Sequence, residues 1–193
     1  MNNQALERRR ALVEASLSGL IALVLSLAVF GPILRWIAVG WSGGDMLSTY
    51  INVEMWQGFW YSVSDQYGFP LGMNLNYFPG IDITENTFAA LVSTVAGTPF
   101  VGLNILILVT FPLVGFLAYF LFRMTGLIGP LAIAGAVVFS LIPFHFGRAL
   151  GHTYLATLYS AVTGIALVLL VGSGRFERLV RQLRGRALSR SRQ

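Results

Sequence analysis

The sequence predicts an all-α membrane protein with four transmembrane helices, interfacial helices in the first outer loop, and both termini cytoplasmic. Three observations carry that expectation. Hydrophobic residues make up 55% of the chain and charged residues only 11%, against about 25% charged in a soluble domain; the mean hydropathy is +0.70. The apolar residues fall in blocks too long for a globular core. All thirteen basic residues are arginine, and most of them crowd a few short segments. Cysteine is absent, which removes disulfides, thiol nucleophiles and Cys-based metal sites from consideration.

The first span is expected from about Ala15 to Gly40, after a charged cytoplasmic segment of residues 1–14. It is longer than the ~7–15-residue core of a signal peptide and no convincing small-x-small cleavage pattern follows it, so it reads as an anchor. From Phe88 to Phe122 runs a single apolar stretch of 35 residues. As one helix it would be roughly 52 Å long, against a hydrocarbon layer of ~30 Å. Gly97-Thr98-Pro99 breaks it, because proline lacks a donor and disfavours helix in the residue before it. Glu85 to Ala96 is therefore expected as an interfacial helix, capped by Asp82 with Glu85 three residues on, and the second span as about 100–122. Pro112 predicts a kink in that span.

The third span, about 126–144, is rich in small residues (Gly129, Ala132, Ala134, Gly135, Ala136) that permit close approach of another helix. A short outer turn from Phe144 to His152 leads to the fourth span, about 153–172. The basic tail 173–193 carries Phe176, Leu179, Val180 and Leu183 at helical spacing, suited to an anionic inner leaflet. With four spans the termini share a side, and eleven of the thirteen arginines fall there. Only Arg35 and Arg148 lie on the other, with Asp45, Glu54, Asp65, Asp82 and Glu85. The arginine-rich side is the cytoplasmic one, and the chain is expected in the plasma (inner) membrane.

The outer loop begins at Trp41. Its first half, Met46 to Tyr61, spaces Leu47, Tyr50, Ile51, Trp56, Phe59 and Trp60 as an amphipathic helix whose rings suit a headgroup belt. Its second half, from Tyr67 to Gly80, is dense in turn formers and would be ordered only by packing. No internal repeat is present.

No phosphate-binding loop, dinucleotide fingerprint, zinc helix or nucleophile elbow occurs, and Ser42 has no base near it in sequence. The polar residues of the outer side remain. Asp45 follows Gly43-Gly44 directly outside the first span; burial would raise its pKa toward that of a general base, and a nearby arginine or metal would keep it ionised. The competing reading is a solvated carboxylate. Arg148 and His152 are four apart and share a face if helical; a guanidinium fork suits phosphate, and snorkelling toward headgroups is the alternative. His145 and His152 would bind metal only with a carboxylate from elsewhere, and no metal site is assigned.

The order of these features resembles a known family. A span is followed by an outer Gly43-Gly44-Asp45, an aromatic helix, the turn-rich Gly68-Phe69-Pro70-Leu71-Gly72 and Tyr77-Phe78-Pro79, and an interfacial helix. Then come a span ending at Arg123 and one ending at Ile142-Pro143-Phe144 before Arg148 and Gly151-His152. From about Ala15 to Gly172 this is similar to the N-terminal part of GT-C superfamily integral-membrane glycosyltransferases, particularly the bacterial YfhO-like kind. The resemblance implies a polyprenyl-phosphate sugar donor on the outer face and Asp45 as catalytic base or part of a metal site. It also implies substrate binding by Arg148 and His152 near the donor phosphate, with a divalent cation left open as cofactor. Members of the family carry more spans, so a four-span chain is expected to be a truncated or partner-dependent module. Its expected partners are membrane lipid, the polyprenyl-linked sugar and a membrane protein completing the fold, with no role for nucleic acid. Two alternatives stand beside it: a non-catalytic protein that binds polyprenyl lipid or scaffolds an envelope-biogenesis complex, and a transporter subunit, which the sequence disfavours for want of mid-membrane charge.

Overall fold

A computed structural model describes residues 3–41, 46–58, 63–64, 70–74 and 83–174. Among the described residues the regular structure is helical apart from one antiparallel ladder of two residues per strand. In order come α1 (Asn3–Leu34), α2 (Met46–Gly58), β1 (Val63–Ser64), β2 (Met73–Asn74), α3 (Ile83–Ala96), α4 (Pro99–Met124), α5 (Gly129–Ser140), α6 (Pro143–Gly151), a 3-10 turn (Thr153–Ala156) and α7 (Leu158–Gly172). Val63 pairs with Asn74 and Ser64 with Met73.

Among the described residues three helices are long and apolar enough to cross a membrane: Gln4–Leu34, Pro99–Met124 and Gly129–Gly151. Their length and composition suit a membrane-embedded, predominantly helical protein. The third of these joins α5 to α6 across a break at Leu141-Ile142. Pro143 causes it by forcing Ile142 out of the helical region to φ −61°, ψ 144°. The fourth expected span, about 153–172, is shorter than anticipated. Its first residues form the 3-10 turn, and α7 has 15 residues, roughly 22 Å at 1.5 Å per residue.

α4 is the central element and packs against α1, α3, α5 and α7. Its seam with α1 is built from small residues. Ala15, Ser18, Ala22 and Ser26, spaced at helical intervals, are all fully buried. A Cβ on Gly19 would sit 2.8 Å from the Pro112 carbonyl oxygen, and one on Gly115 would sit 3.1 Å from both Ala22 Cβ and the Ser18 oxygen. Close backbone approach of this kind substitutes for the hydrophobic drive that lipid does not supply. On α5 the expected small-residue face is partly realised: Gly129, Ala132 and Ala136 are buried, Gly135 lies against Phe122, and Ala134 is exposed.

The break expected at Gly97-Thr98-Pro99 is present, with Gly97 at φ +73° and Pro99 opening α4. Beyond that turn α3 doubles back along α4. A Cβ on Gly102 would fall 2.0 Å from Ser93 Oγ and 2.1 Å from the Ala89 oxygen. Further along, Glu85 and Phe88 share a small cavity with Leu106, Val109 and Thr110. Thr110 lies eleven residues into α4, so the carboxyl-bearing end of α3 stands roughly 17 Å along that helix from the turn.

Two clusters fill the interior. One, at the loop end, gathers Phe30, Val53, Ala89, Leu103, Ile107, Phe111 and Ala149 with Trp41 and Phe146 at its edge. The other, at the end carrying Arg10 and Arg123, gathers Ala15, Val114, Ala118, Tyr119, Ala132 and Ala136.

Candidate functional site

The loop end is organised by the exit of α1. After Leu34 the backbone coils on, with the Trp36 N–H on the Ile33 carbonyl (2.8 Å) and the Val39 N–H on the Trp36 carbonyl (2.9 Å). Asn104 of α4, fully buried, donates its Nδ2 hydrogens to the carbonyls of Ile37 and Val39, at 2.8 Å each. Both donors of one amide are thus spent on the strand of chain that leads toward Asp45. Trp41, four residues before Asp45, donates Nε1–H to the Trp36 carbonyl at 3.1 Å and stacks on Phe30 with centroids 5.5 Å apart. Phe30 in turn meets Phe111 of α4 and Phe146 of α6, both at 5.6 Å.

α6 turns His145 and Ala149 inward. The His145 ring lies 4.0 Å from the Phe111 ring, nearly parallel to it. Its Nδ1 is 2.7 Å from the Ser140 carbonyl and its Nε2 3.0 Å from Thr110 Oγ1. A carbonyl only accepts, so Nδ1 carries the proton. In the neutral ring Nε2 then accepts from the Thr110 hydroxyl, whose other acceptor within reach is the Ile107 carbonyl at 2.7 Å. His145 is consequently a packing and hydrogen-bonding residue with both nitrogens occupied. Among the described residues no group of three His, Asp or Glu side chains is placed to hold a metal ion.

Arg148 is half-buried on the flank of α6, its guanidinium carbon 5.1 Å from the Phe144 ring centroid in a cation–π arrangement. Among the described residues the one ion pair is Arg10 with Glu14, so no carboxylate there neutralises Arg148. His152 departs from the expectation of a shared helical face. α6 stops at Gly151 and His152 takes φ −145°, ψ 77° as its C-cap, though its N–H still bonds the Arg148 carbonyl at 2.8 Å. The two residues are joined through backbone, with their side chains leaving from different local geometries. Asp45, Asp65 and Asp82 lie outside the described residues, as do Ser42, Phe59, Trp60 and the tail from Arg175.

The aromatic helix expected from Met46 to Tyr61 is present as α2, and two of its rings pack within the protein. Tyr50 stacks on Phe100 at 4.4 Å; burial raises its phenol above the ordinary value, and the Glu54 carboxylate adds to that. Trp56 donates Nε1–H to Thr87 Oγ1 of α3 at 3.2 Å. Glu85 is buried on α3 and accepts the Tyr159 hydroxyl of α7. Sequence reasoning named Glu85 only as an outer polar residue and a cap. Its neighbour in space is 74 residues away, and no local spacing signals such a pair. No family model matches the chain, and neither does any curated protein or solved structure.

Proposed function

We propose that this chain is a GT-C-like glycosyltransferase module, truncated or partner-dependent, that transfers a sugar from a polyprenyl-phosphate donor on the outer face of the plasma membrane. The observation that carries this reading is the chain of rings Trp41–Phe30–Phe146. It ties the segment leading into Asp45 to the helix that bears Arg148 and is capped by His152. In the proposed reaction Asp45 takes the proton of an acceptor hydroxyl. The oxygen attacks the anomeric carbon from the face opposite the phosphate, the bond to phosphate breaks, and the polyprenyl phosphate leaves with the electron pair. Arg148, held over Phe144 without a carboxylate partner among the described residues, offers its fork to the phosphate oxygens as their charge grows. His152 adds a nearby polar ring. Both termini lie in the cytoplasm in this reading.

The test is transfer from a labelled polyprenyl-phosphate sugar by membranes holding the chain, alone and with candidate membrane partners. Wild type should transfer label, and Asp45→Asn should lose about a hundredfold or more. Arg148→Gln should weaken transfer less severely. Normal transfer by Asp45→Asn would remove the assignment of the base. No transfer by wild type in any combination would leave the non-catalytic reading, a protein that binds polyprenyl lipid or scaffolds other envelope proteins.

A further inference from the structure

At the end opposite Arg148 a cavity of about 570 Å³ opens beside the start of α1 and the end of α4. Glu7, Arg10 and Glu14 of α1, Tyr119 and Arg123 of α4, and Gly129 at the start of α5 form its wall. Glu14 directly precedes the apolar run of α1, and Arg123 lies in the last turn of α4. The cavity therefore sits where charged chain gives way to apolar helix, the level of lipid headgroups for embedded helices.

Part of this charge is already paired. Arg10 Nε donates to Glu14 Oε1 at 2.8 Å and the Tyr119 hydroxyl donates to Glu14 Oε2 at 2.5 Å. The Glu14 carboxylate lies so close to Gly129 that a Cβ there would be 2.5 Å from Oε2. Both oxygens of Glu14 are thus engaged, using one of the five N–H donors of Arg10. Arg123 spends Nη1 on the Leu127 carbonyl at 2.9 Å. Among the described residues the Glu7 carboxylate has no ion-pair partner. The remaining groups are the outer nitrogens of two guanidinium forks and one carboxylate, facing the same space.

A ligand must complement both signs. A simple anion placed on the arginines would also meet Glu7 and Glu14, and a simple cation on Glu7 would meet Arg10 and Arg123. A phosphate joined to a primary ammonium by a short linker satisfies each. Its phosphate oxygens take the guanidinium N–H groups, and its three ammonium hydrogens have a carboxylate to donate to. We propose that this pocket binds a phosphoethanolamine group, presented either by phosphatidylethanolamine in the membrane or by a free phosphoethanolamine ester.

The experiment is thermal unfolding of the purified full chain in detergent micelles doped with phosphatidylethanolamine, phosphatidylcholine or phosphatidylglycerol, with a separate arm of soluble phosphoethanolamine. Phosphatidylethanolamine should raise the midpoint in a saturable, dose-dependent way. Phosphatidylcholine, whose quaternary ammonium has no N–H, should raise it little, as should phosphatidylglycerol. A shift with the soluble ester equal to that with the lipid would assign a soluble ligand; a shift with the lipid alone would assign the headgroup. Glu7→Gln, at an exposed position, should abolish the preference for phosphatidylethanolamine over phosphatidylcholine. Arg123→Gln should raise the apparent dissociation constant about tenfold or more, as expected for loss of a charge-assisted hydrogen bond. Equal shifts with all three lipids, no shift with any ligand, or an unchanged lipid preference in Glu7→Gln would overturn the proposal.

Discussion

The hydroxyl of Ser140 on α5 donates to the backbone carbonyl of Phe111 on α4, at 2.7 Å. The bond falls one residue before Pro112, where the missing N–H interrupts the helix ladder. The Ser140 carbonyl at the same time accepts from His145, so one residue bridges α4, α5 and α6. Ser140→Ala should cost about 1 kcal/mol, the net worth of one buried hydrogen bond. Thermal unfolding in detergent checks this, and an unchanged midpoint would show that the bridge contributes nothing.

His145→Phe keeps the ring against Phe111 but removes both hydrogen bonds. It should destabilise by about 2–4 kcal/mol, since the Ser140 carbonyl and Thr110 lose a partner in a dry interior. Thr110→Val removes the other end of the same bond. The double variant should therefore cost clearly less than the sum of the two, and strict additivity in a double-mutant cycle would argue against the contact.

Gly102 and Gly164 make a contrasting pair. A side chain on Gly102 meets the Ala89 carbonyl at 2.1 Å, whereas one on Gly164 meets nothing within 4 Å. Gly102→Ala should destabilise by about 3 kcal/mol or more, as the α3 backbone must move. Gly164→Ala should stabilise or leave the protein unchanged, within about 1 kcal/mol, by helix propensity. The comparison needs only the two unfolding midpoints in one detergent.

Asn104 should discriminate between two substitutions of similar size. Asn104→Leu frees the Ile37 and Val39 carbonyls, which costs about 1–3 kcal/mol. Asn104→Asp should be worse, because a carboxylate has no donor and would face two carbonyl oxygens. Limited proteolysis after Arg35 should quicken in both variants, and transfer activity should fall with it if Asp45 is the base. Resistance to cleavage equal to wild type would mean that Asn104 does not fix this segment.

Much of the helical framework is legible in the sequence. The Gly97-Thr98-Pro99 break and the helix over Met46–Gly58 both follow from local chemistry. The α1–α4 seam was also written there, since Ala15, Ser18, Gly19, Ala22 and Ser26 recur at helical spacing within an apolar run. The doubling back of α3 was not legible, because it depends on Gly102 admitting a helix from a different stretch of chain. The same holds for the Glu85–Tyr159 bond and for the inward placement of His145, which follows a helix break that Pro143 imposes at Ile142. Of the expected site, Arg148 and His152 come to the loop end together. The four-residue spacing misjudged their relation, since it assumed a helix that ends one residue too soon.

The shortness of α7 has a consequence for the surroundings of the protein. Only Val162 of that helix is buried, and most of its remaining side chains are exposed. A roughly 22 Å rod cannot fill a hydrocarbon layer of ~30 Å, and hydrophobic mismatch of this size is relieved by local thinning of the bilayer or by association with another helix. The flank of the protein along α7 would then be a place where membrane thickness itself acts on the fold, favouring thin bilayers and short acyl chains.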